Sequence, residues 1–134
     1  KVYLGSILSG SIGANSHAAN ILAAIFLATG QDIAHIAEVS SVVTTAEVAK
    51  EGLYVSVFIP DLVVGTVGGG TGLDTQKEAL SILGVSGGDQ GKNSQRLAEI
   101  IGATVLAGET SLIASLSINS LACAHRKLGR GEKI

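Results

Sequence analysis

The run from Ser9 to Asp32, S-G-S-I-G-A-N-S-H-A-A-N-I-L-A-A-I-F-L-A-T-G-Q-D, places the tightest constraint on how this chain folds. A glycine-spaced loop leads into a helix expected over about Ser16 to Thr29, and its stretch Ile21 to Ala28 has no polar face. Such a helix has no side to give to water, so burial all round is expected. Its polar groups collect at the ends: His17 and Asn20 at the start, Gln31 and Asp32 just past Gly30. His17 and Asn20 are three apart and share a face. Gly30 is the natural C-terminal stop, and Asn15 or Ser16 the N-cap. Free N–H groups of the first turn make a positive end that suits a carboxylate or phosphate. The run is therefore either one wall of an active site for an anionic substrate or a well-capped core helix.

The 134 residues suit one domain. Apolar residues make up 46% and charged residues 15%, too few charges to solvate the whole surface of a small free-standing domain. Part of the surface is expected to be covered by missing chain, by another subunit, or by both. A net charge of −2, two Tyr, two Phe and no Trp give no case for nucleic acid. The single Cys123 excludes an internal disulfide and a cysteine zinc site, and it is compatible with a reducing, cytoplasmic setting. The chain opens on Lys1 with no signal peptide, as a fragment would. Ile100 to Ala124 is long and apolar, but it carries Glu109, Asn119 and many small residues. A buried helix of a soluble protein explains it better than a membrane span.

Along the chain, Lys1 to Leu8 reads as an extended entry segment with Lys1 solvated. Ile33 to Val39 adds a helical turn whose His35 is given no chemistry. Ser40 to Thr45 is β-branched and reads as a strand, followed by a polar turn at Glu47 to Gly52. Leu53 to Ile59 alternates as a strand does, and after Pro60 and Asp61 the strand is expected to resume at Leu62 to Val64 beyond a bulge. Gly65 to Gly72, G-T-V-G-G-G-T-G, lacks both the P-loop ending and the Rossmann spacing. It either admits a phosphate or a cofactor backbone, or is a sharp turn. Asp74 or Thr75 caps a helix over Gln76 to Leu83, with Thr75 and Glu78 in a capping-box pattern and Gly84 as its stop. Ser86 to Lys92 is a surface loop, and Asn93 caps a long helix to about Leu128, ahead of a polar tail at Gly129 to Ile134. Gly102 and Gly108 inside that helix imply tight contacts or a break. Glu109, in its apolar middle, needs a partner or backbone N–H groups, which places it at a helix break or an interface. A few strands among longer helices make an α+β domain, with long buried helices packed on a small β-sheet. No His-Glu-x-x-His metal arrangement is present.

S-G-S-I-G-A-N-S-H-A-A-N followed by G-Q-D, then G-T-V-G-G-G-T (Gly65 to Thr71), L-A-G-E-T-S-L (Leu106 to Leu112) and A-H-R-K-L-G-R (Ala124 to Arg130), resemble the catalytic part of 3-hydroxy-3-methylglutaryl-coenzyme A (HMG-CoA) reductases. The resemblance runs through essentially the whole chain, in order. It implies that residues 1–134 are the C-terminal portion of the large catalytic domain, with an upstream portion, including the small NADP-binding domain, lying outside this chain. It implies reduction of HMG-CoA to mevalonate and coenzyme A by two hydride transfers from NADPH, with NADH as the alternative, in the mevalonate (isoprenoid) pathway. Asp32 matches the family's catalytic aspartate and His125 the histidine that protonates the thiolate of coenzyme A, a task suited to imidazole near neutrality. Lys1, His17 and Asn20 match residues of the substrate pocket. Gly65, Thr66, Val67, Gly68, Gly69, Gly70 and Thr71 match the second NADPH-contacting motif, and Arg130 matches an arginine beside the cofactor phosphate.

The catalytic lysine and glutamate of the family lie upstream of this stretch, so this chain alone is expected to be inactive. Gly131 stands where animal members carry a phosphorylatable serine, which resembles the soluble archaeal members of class I. Family active sites form between subunits, which implies a homodimer or higher homo-oligomer. The alternative is a non-catalytic oligomerisation domain that keeps the family's helices.

Overall fold

The computed structural model describes residues 2–129, so Lys1, Arg130 and residues 131–134 of the expected tail lie outside the described residues. The chain is α+β: six α-helices, several 3-10 turns and one two-stranded antiparallel sheet among the described residues. Helix α2 (Ala18–Thr29) is the axis. It packs against α4 (Asp74–Ile82) and α5 (Lys92–Ser117). Ala18, Leu22, Phe26 and Thr29, one stripe at helical spacing, are buried, with Leu80 of α4 and Leu97, Ile101 and Val105 of α5 in the same core. Each buried leucine or phenylalanine contributes about 1.5–3 kcal/mol. The helix is not buried all round: Ala24, Leu27 and Ala28 are exposed. An apolar sequence on every side therefore marks a face that this chain does not itself cover.

Helix α1 (Val2–Leu8) replaces the expected extended entry. Three spaced apolar residues fit either period, and the left-handed Gly10, with φ of +71°, gives the segment a helix ending. None of its residues is buried. A short helix, α3 (Ile36–Val39), fills the expected turn after Asp32.

Strands β1 (Val43–Ala49) and β2 (Gly52–Phe58) pair from Val43 opposite Phe58 to Ala49 opposite Gly52. The first strand starts later than expected because Ser40 closes α3, and it runs on through Glu47. The polar pattern there belongs to the solvated face of a strand, and the turn shrinks to Lys50 and Glu51. Leu62 to Val64 does not resume the strand. The additional pairing comes from Ala14, whose N–H donates to Val42 and whose carbonyl accepts from Thr44, both at 2.9 Å. That bridge stitches the loop before α2 to β1.

Helix α4 starts at Asp74, which puts Thr75 inside it, so the Thr75–Glu78 box does not form and Thr75 bonds Gln76 instead. Gly84 ends it as expected, with Val85 N–H reaching back to the Leu80 carbonyl at 2.9 Å. Helix α5 runs unbroken past Gly102, Gly108 and Glu109. A Cβ at Gly108 would collide with the end of the Ile21 side chain, so this glycine marks a close α2–α5 contact, whereas one at Gly102 would meet open space. The predicted helix to Leu128 is instead broken at Asn119 (φ +56°), followed by α6 (Ser120–Ala124) and a π-helical turn, His125–Gly129. Asn93 does not cap α5; its amide donates to the carbonyls of Ser86 and Gly87 at 3.0 and 2.9 Å. By length and composition alone, the helical stretch Asp89–Ser117 could cross a membrane. Its buried residues, Leu97, Ile101, Val105 and Glu109, lie on one stripe, four residues apart.

Candidate functional site

The two ends of α2 are closed by different chemistry. At the C-terminal end, Gly30 takes the left-handed conformation (φ +71°), and the N–H groups of Gly30 and Gln31 both return to the Phe26 carbonyl. A Cβ on Gly30 would strike the Gly70 carbonyl, and one on Gly70 would sit 2.8 Å from the Gly30 oxygen. The glycine loop therefore lies backbone against backbone on the end of α2. Gln31 locks it there: its Oε1 accepts from Gly65 N–H at 2.8 Å, and its Nε2 donates to the Gly65 carbonyl at 2.9 Å and to that of Thr29 at 3.1 Å. The Thr66 hydroxyl donates to Gly87 at 2.7 Å and the Thr71 hydroxyl to Gly68 at 2.6 Å.

The result is an open cleft of about 620 Å³ lined by Gln31, Asp32, Gly65, Val67 and the Gly68–Thr71 turn, with Phe26 among its apolar walls. Gly68 and Gly69 hold positive φ and have nothing within 4 Å of where a Cβ would lie. Part of the cleft wall is thus bare backbone, able to approach a phosphate or sugar closely. Asp32 stands at the edge, exposed, with Oδ1 accepting from Ala34 N–H at 2.9 Å. His35 Nε2 lies 4.0 Å from Asp32 Oδ2, and His35 Nδ1 lies 3.0 Å from Glu38. The Glu38 hydrogen bond is the main influence that raises the pKa of His35.

At the N-terminal end, the positive pole of α2 is met from inside the chain. Glu109, with no exposed surface, accepts from Ser16 N–H (2.8 Å) and Thr44 Oγ1 (2.9 Å) on one oxygen, and from His17 N–H (2.8 Å) on the other, which also lies 3.0 Å from His17 Nδ1. Burial opposes its charge, but the backbone N–H donors of Ser16 and His17, with Thr44 and His17, hold its carboxyl below the usual range. Asn15 completes the cap by accepting from Ala18 N–H at 3.1 Å. The expectation of a free helix end for an external anion is thus corrected: the chain's own carboxylate occupies it. Glu109 is not at a break but at an interface, where α5 meets the start of α2 and β1. A carboxylate in an apolar run signalled a need for several donors, but the sequence did not say that a distant helix end supplies them.

The predicted site residues divide. Asp32 and Gly65–Thr71 share the cleft, with the exception of buried Thr66, which anchors the loop from behind. His17, half-buried, and Asn20, exposed, lie at the other end of α2. Asn20 is in the first turn of α2, and the nine residues from it to Thr29, at about 1.5 Å each, put about 14 Å of helix between it and the Asp32 end. His125 sits exposed in the π-helical turn and does not line the cleft. Lys1 and Arg130 are outside the described residues.

A domain with this α+β arrangement and a glycine-loop cleft matches a known family profile, that of hydroxymethylglutaryl-coenzyme A reductase, over residues 1–130. The 3-hydroxy-3-methylglutaryl-coenzyme A reductase of Methanocaldococcus jannaschii is 55% identical over 130 residues, covering 97% of this chain and 31% of the relative. The enzyme of the same name from Pyrococcus abyssi is 54% identical over 133 residues, covering 97% and 33%, and that from Fusarium fujikuroi is 49% identical over 134 residues, covering 97% and 14%. The chain belongs to the hydroxymethylglutaryl-coenzyme A reductase family. It spans about a third of the length of the archaeal relatives it matches.

Proposed function

We propose that this chain is the C-terminal portion of the large catalytic domain of an enzyme that reduces HMG-CoA to mevalonate and coenzyme A. The observation that carries this is the shared cleft, in which the carboxylate of Asp32 and a bare-backbone glycine loop are held together by Gln31. NADPH, when bound, supplies the hydrides; NADH is the alternative. Gly65–Thr71 and Arg130 would hold the nicotinamide cofactor, and the open backbone at Gly68 and Gly69 fits that task. Asp32 sits beside the reacting thioester carbon and orients the lysine supplied from upstream, whose cationic form a neighbouring carboxylate favours. His125 delivers a proton to the departing thiolate, so that the reverse attack is lost. Lys1, His17 and Asn20 hold the acyl portion of the substrate.

The roughly 14 Å of helix between Asn20 and the Asp32 end of α2 exceeds what one small acyl group can bridge. This supports a site built from two copies of the chain, in a homodimer or higher oligomer. Exposed Leu8, Ile12, Val48 and Ile82 support the same reading, since covered surfaces are where such side chains lose their contact with water. The setting proposed is cytoplasmic.

The test is made on the full-length protein that carries this chain, following NADPH absorbance on addition of HMG-CoA. Turnover by the parent that collapses in Asp32→Asn supports the assignment. A His125→Gln variant is expected to reduce mevaldehyde while failing with HMG-CoA. A folded, oligomeric parent with no turnover refutes the enzyme and leaves the oligomerisation domain.

A further inference from the structure

We propose that Glu109 is the positioning residue of the substrate-side face of α2. It holds His17 as the Nδ1–H tautomer and thereby presents Nε2 as the imidazole's working atom. This rests on the reading of His17 as a substrate-side residue.

The argument is one of donors and acceptors. Glu109 has four partners on two oxygens, which fills the capacity of an ionised carboxylate. Three of the four are obligate or directed donors: the N–H groups of Ser16 and His17 and the hydroxyl of Thr44. An ionised carboxylate can only accept, so the 3.0 Å contact to His17 Nδ1 requires a proton on Nδ1. The neutral ring therefore keeps Nε2 as a bare acceptor, and protonation makes Nε2 a donor without disturbing the Nδ1 bond. The same oxygen that binds Nδ1 also binds His17's own N–H, so backbone and ring are fixed by one atom.

The carboxylate is itself rigid. It rises from the middle of an unbroken helix, it is fully buried, and Thr44 ties it to β1. No other titratable side chain of the described residues hydrogen-bonds to it. A carboxylate behind an imidazole is the usual device for fixing tautomer and ring plane, and removing such partners at metal sites costs about 10–100-fold in function.

The experiment uses full-length protein labelled with ¹⁵N-histidine at alkaline pH, where the rings are neutral, with His17 assigned by its loss in His17→Gln. The expected spectrum has a pyrrole-type Nδ1 and a pyridine-type Nε2 for His17. The opposite pattern overturns the proposal whether or not the enzyme turns over, and it needs no Glu109 variant to fold. In kinetics, Glu109→Gln is expected to lower kcat/KM by about tenfold or more. The double variant Glu109→Gln/His17→Gln is expected to be no worse than His17→Gln alone. Additive losses in this cycle show that Glu109 does not act through His17 and refute the positioning role. A parent without activity refutes the proposed function, and the tautomer then decides the inference by itself.

Discussion

Replacing Gly30 by alanine tests the backbone-to-backbone contact that forms the cleft. Two costs add at this position. Alanine at φ of +71° loses about 1–2 kcal/mol to left-handed strain. Its Cβ also runs into the carbonyl of Gly70, a backbone group that no rotamer change can move aside. Forcing such an overlap costs about 1–3 kcal/mol more. Gly84 provides the comparison: its φ is +69°, nearly the same, but nothing lies within 4 Å of the added methyl. Gly84→Ala is expected to lose about 1–2 kcal/mol and Gly30→Ala about 2–5 kcal/mol. In urea unfolding of the full-length protein, with a slope of about 2 kcal/mol/M, the midpoints fall by about 0.5–1 M and 1–2.5 M. Because the added methyl pushes the loop that carries Gly68 and Gly69, Gly30→Ala alone is expected to weaken cofactor binding, read by fluorescence titration. Equal losses in the two variants, with unchanged cofactor affinity, refute the claim that the α2 end and the glycine loop are packed as one unit.

Gln31→Leu removes both bonds to Gly65 and leaves a part-buried N–H and carbonyl without partners, costing about 1–3 kcal/mol and loosening the loop. Faster amide exchange at Gly65 checks it, and retained protection there contradicts the clamp. The carboxyl of Glu109 has its folded pKa lowered from an ordinary 4.5, so its contribution to stability is complete above that value and fades as pH falls through the folded value. Measured in a His17→Gln background, which removes the titrating ring beside it, the stability gap between Glu109 and Glu109→Gln is therefore expected to be constant at neutral pH and to close only in acid. A gap that closes between pH 6 and 8 contradicts the assignment, and pH-dependent urea midpoints decide it.

What the sequence made legible was mostly punctuation and periodicity. Gly30 and Gly84 ended their helices where expected because left-handed stops are local in origin. The alternation from Leu53 onward gave a strand, and the apolar run before Gly30 gave α2. The boundary at Ser40 was lost because β-branched residues spoke for a strand while a four-residue helix claimed the serine. Burial was overestimated because hydropathy does not tell which apolar face of a helix its own chain covers, and Ala24, Leu27 and Ala28 of α2 are left exposed. The glycine loop left two roles open; its Gly70 is a packing contact, while Gly68 and Gly69 leave the backbone open. Glu109's partners were not legible, since Ser16, His17 and Thr44 lie more than sixty residues away along the chain.

The geometry of α2 also makes a prediction about assembly. If Asp32 and Asn20 serve one substrate, they must lie within a few ångströms of it, yet in one chain about 14 Å of helix holds them apart. A symmetric dimer resolves this by pairing the Asp32 end of one copy with the Asn20 end of its partner. Asp32→Asn and Asn20→Ala homodimers would then each carry one defect in every site. A mixed dimer would concentrate both defects in one site and leave the other intact. Random mixing makes half of the dimers mixed, each with half its sites whole, so co-refolded inactive variants should recover about a quarter of the parent activity. Sites built within one chain give no recovery at any mixing ratio, because every site keeps one defect. Recovery measured against mixing ratio therefore separates the two architectures, and its absence in dimers shown to have exchanged subunits refutes the shared site.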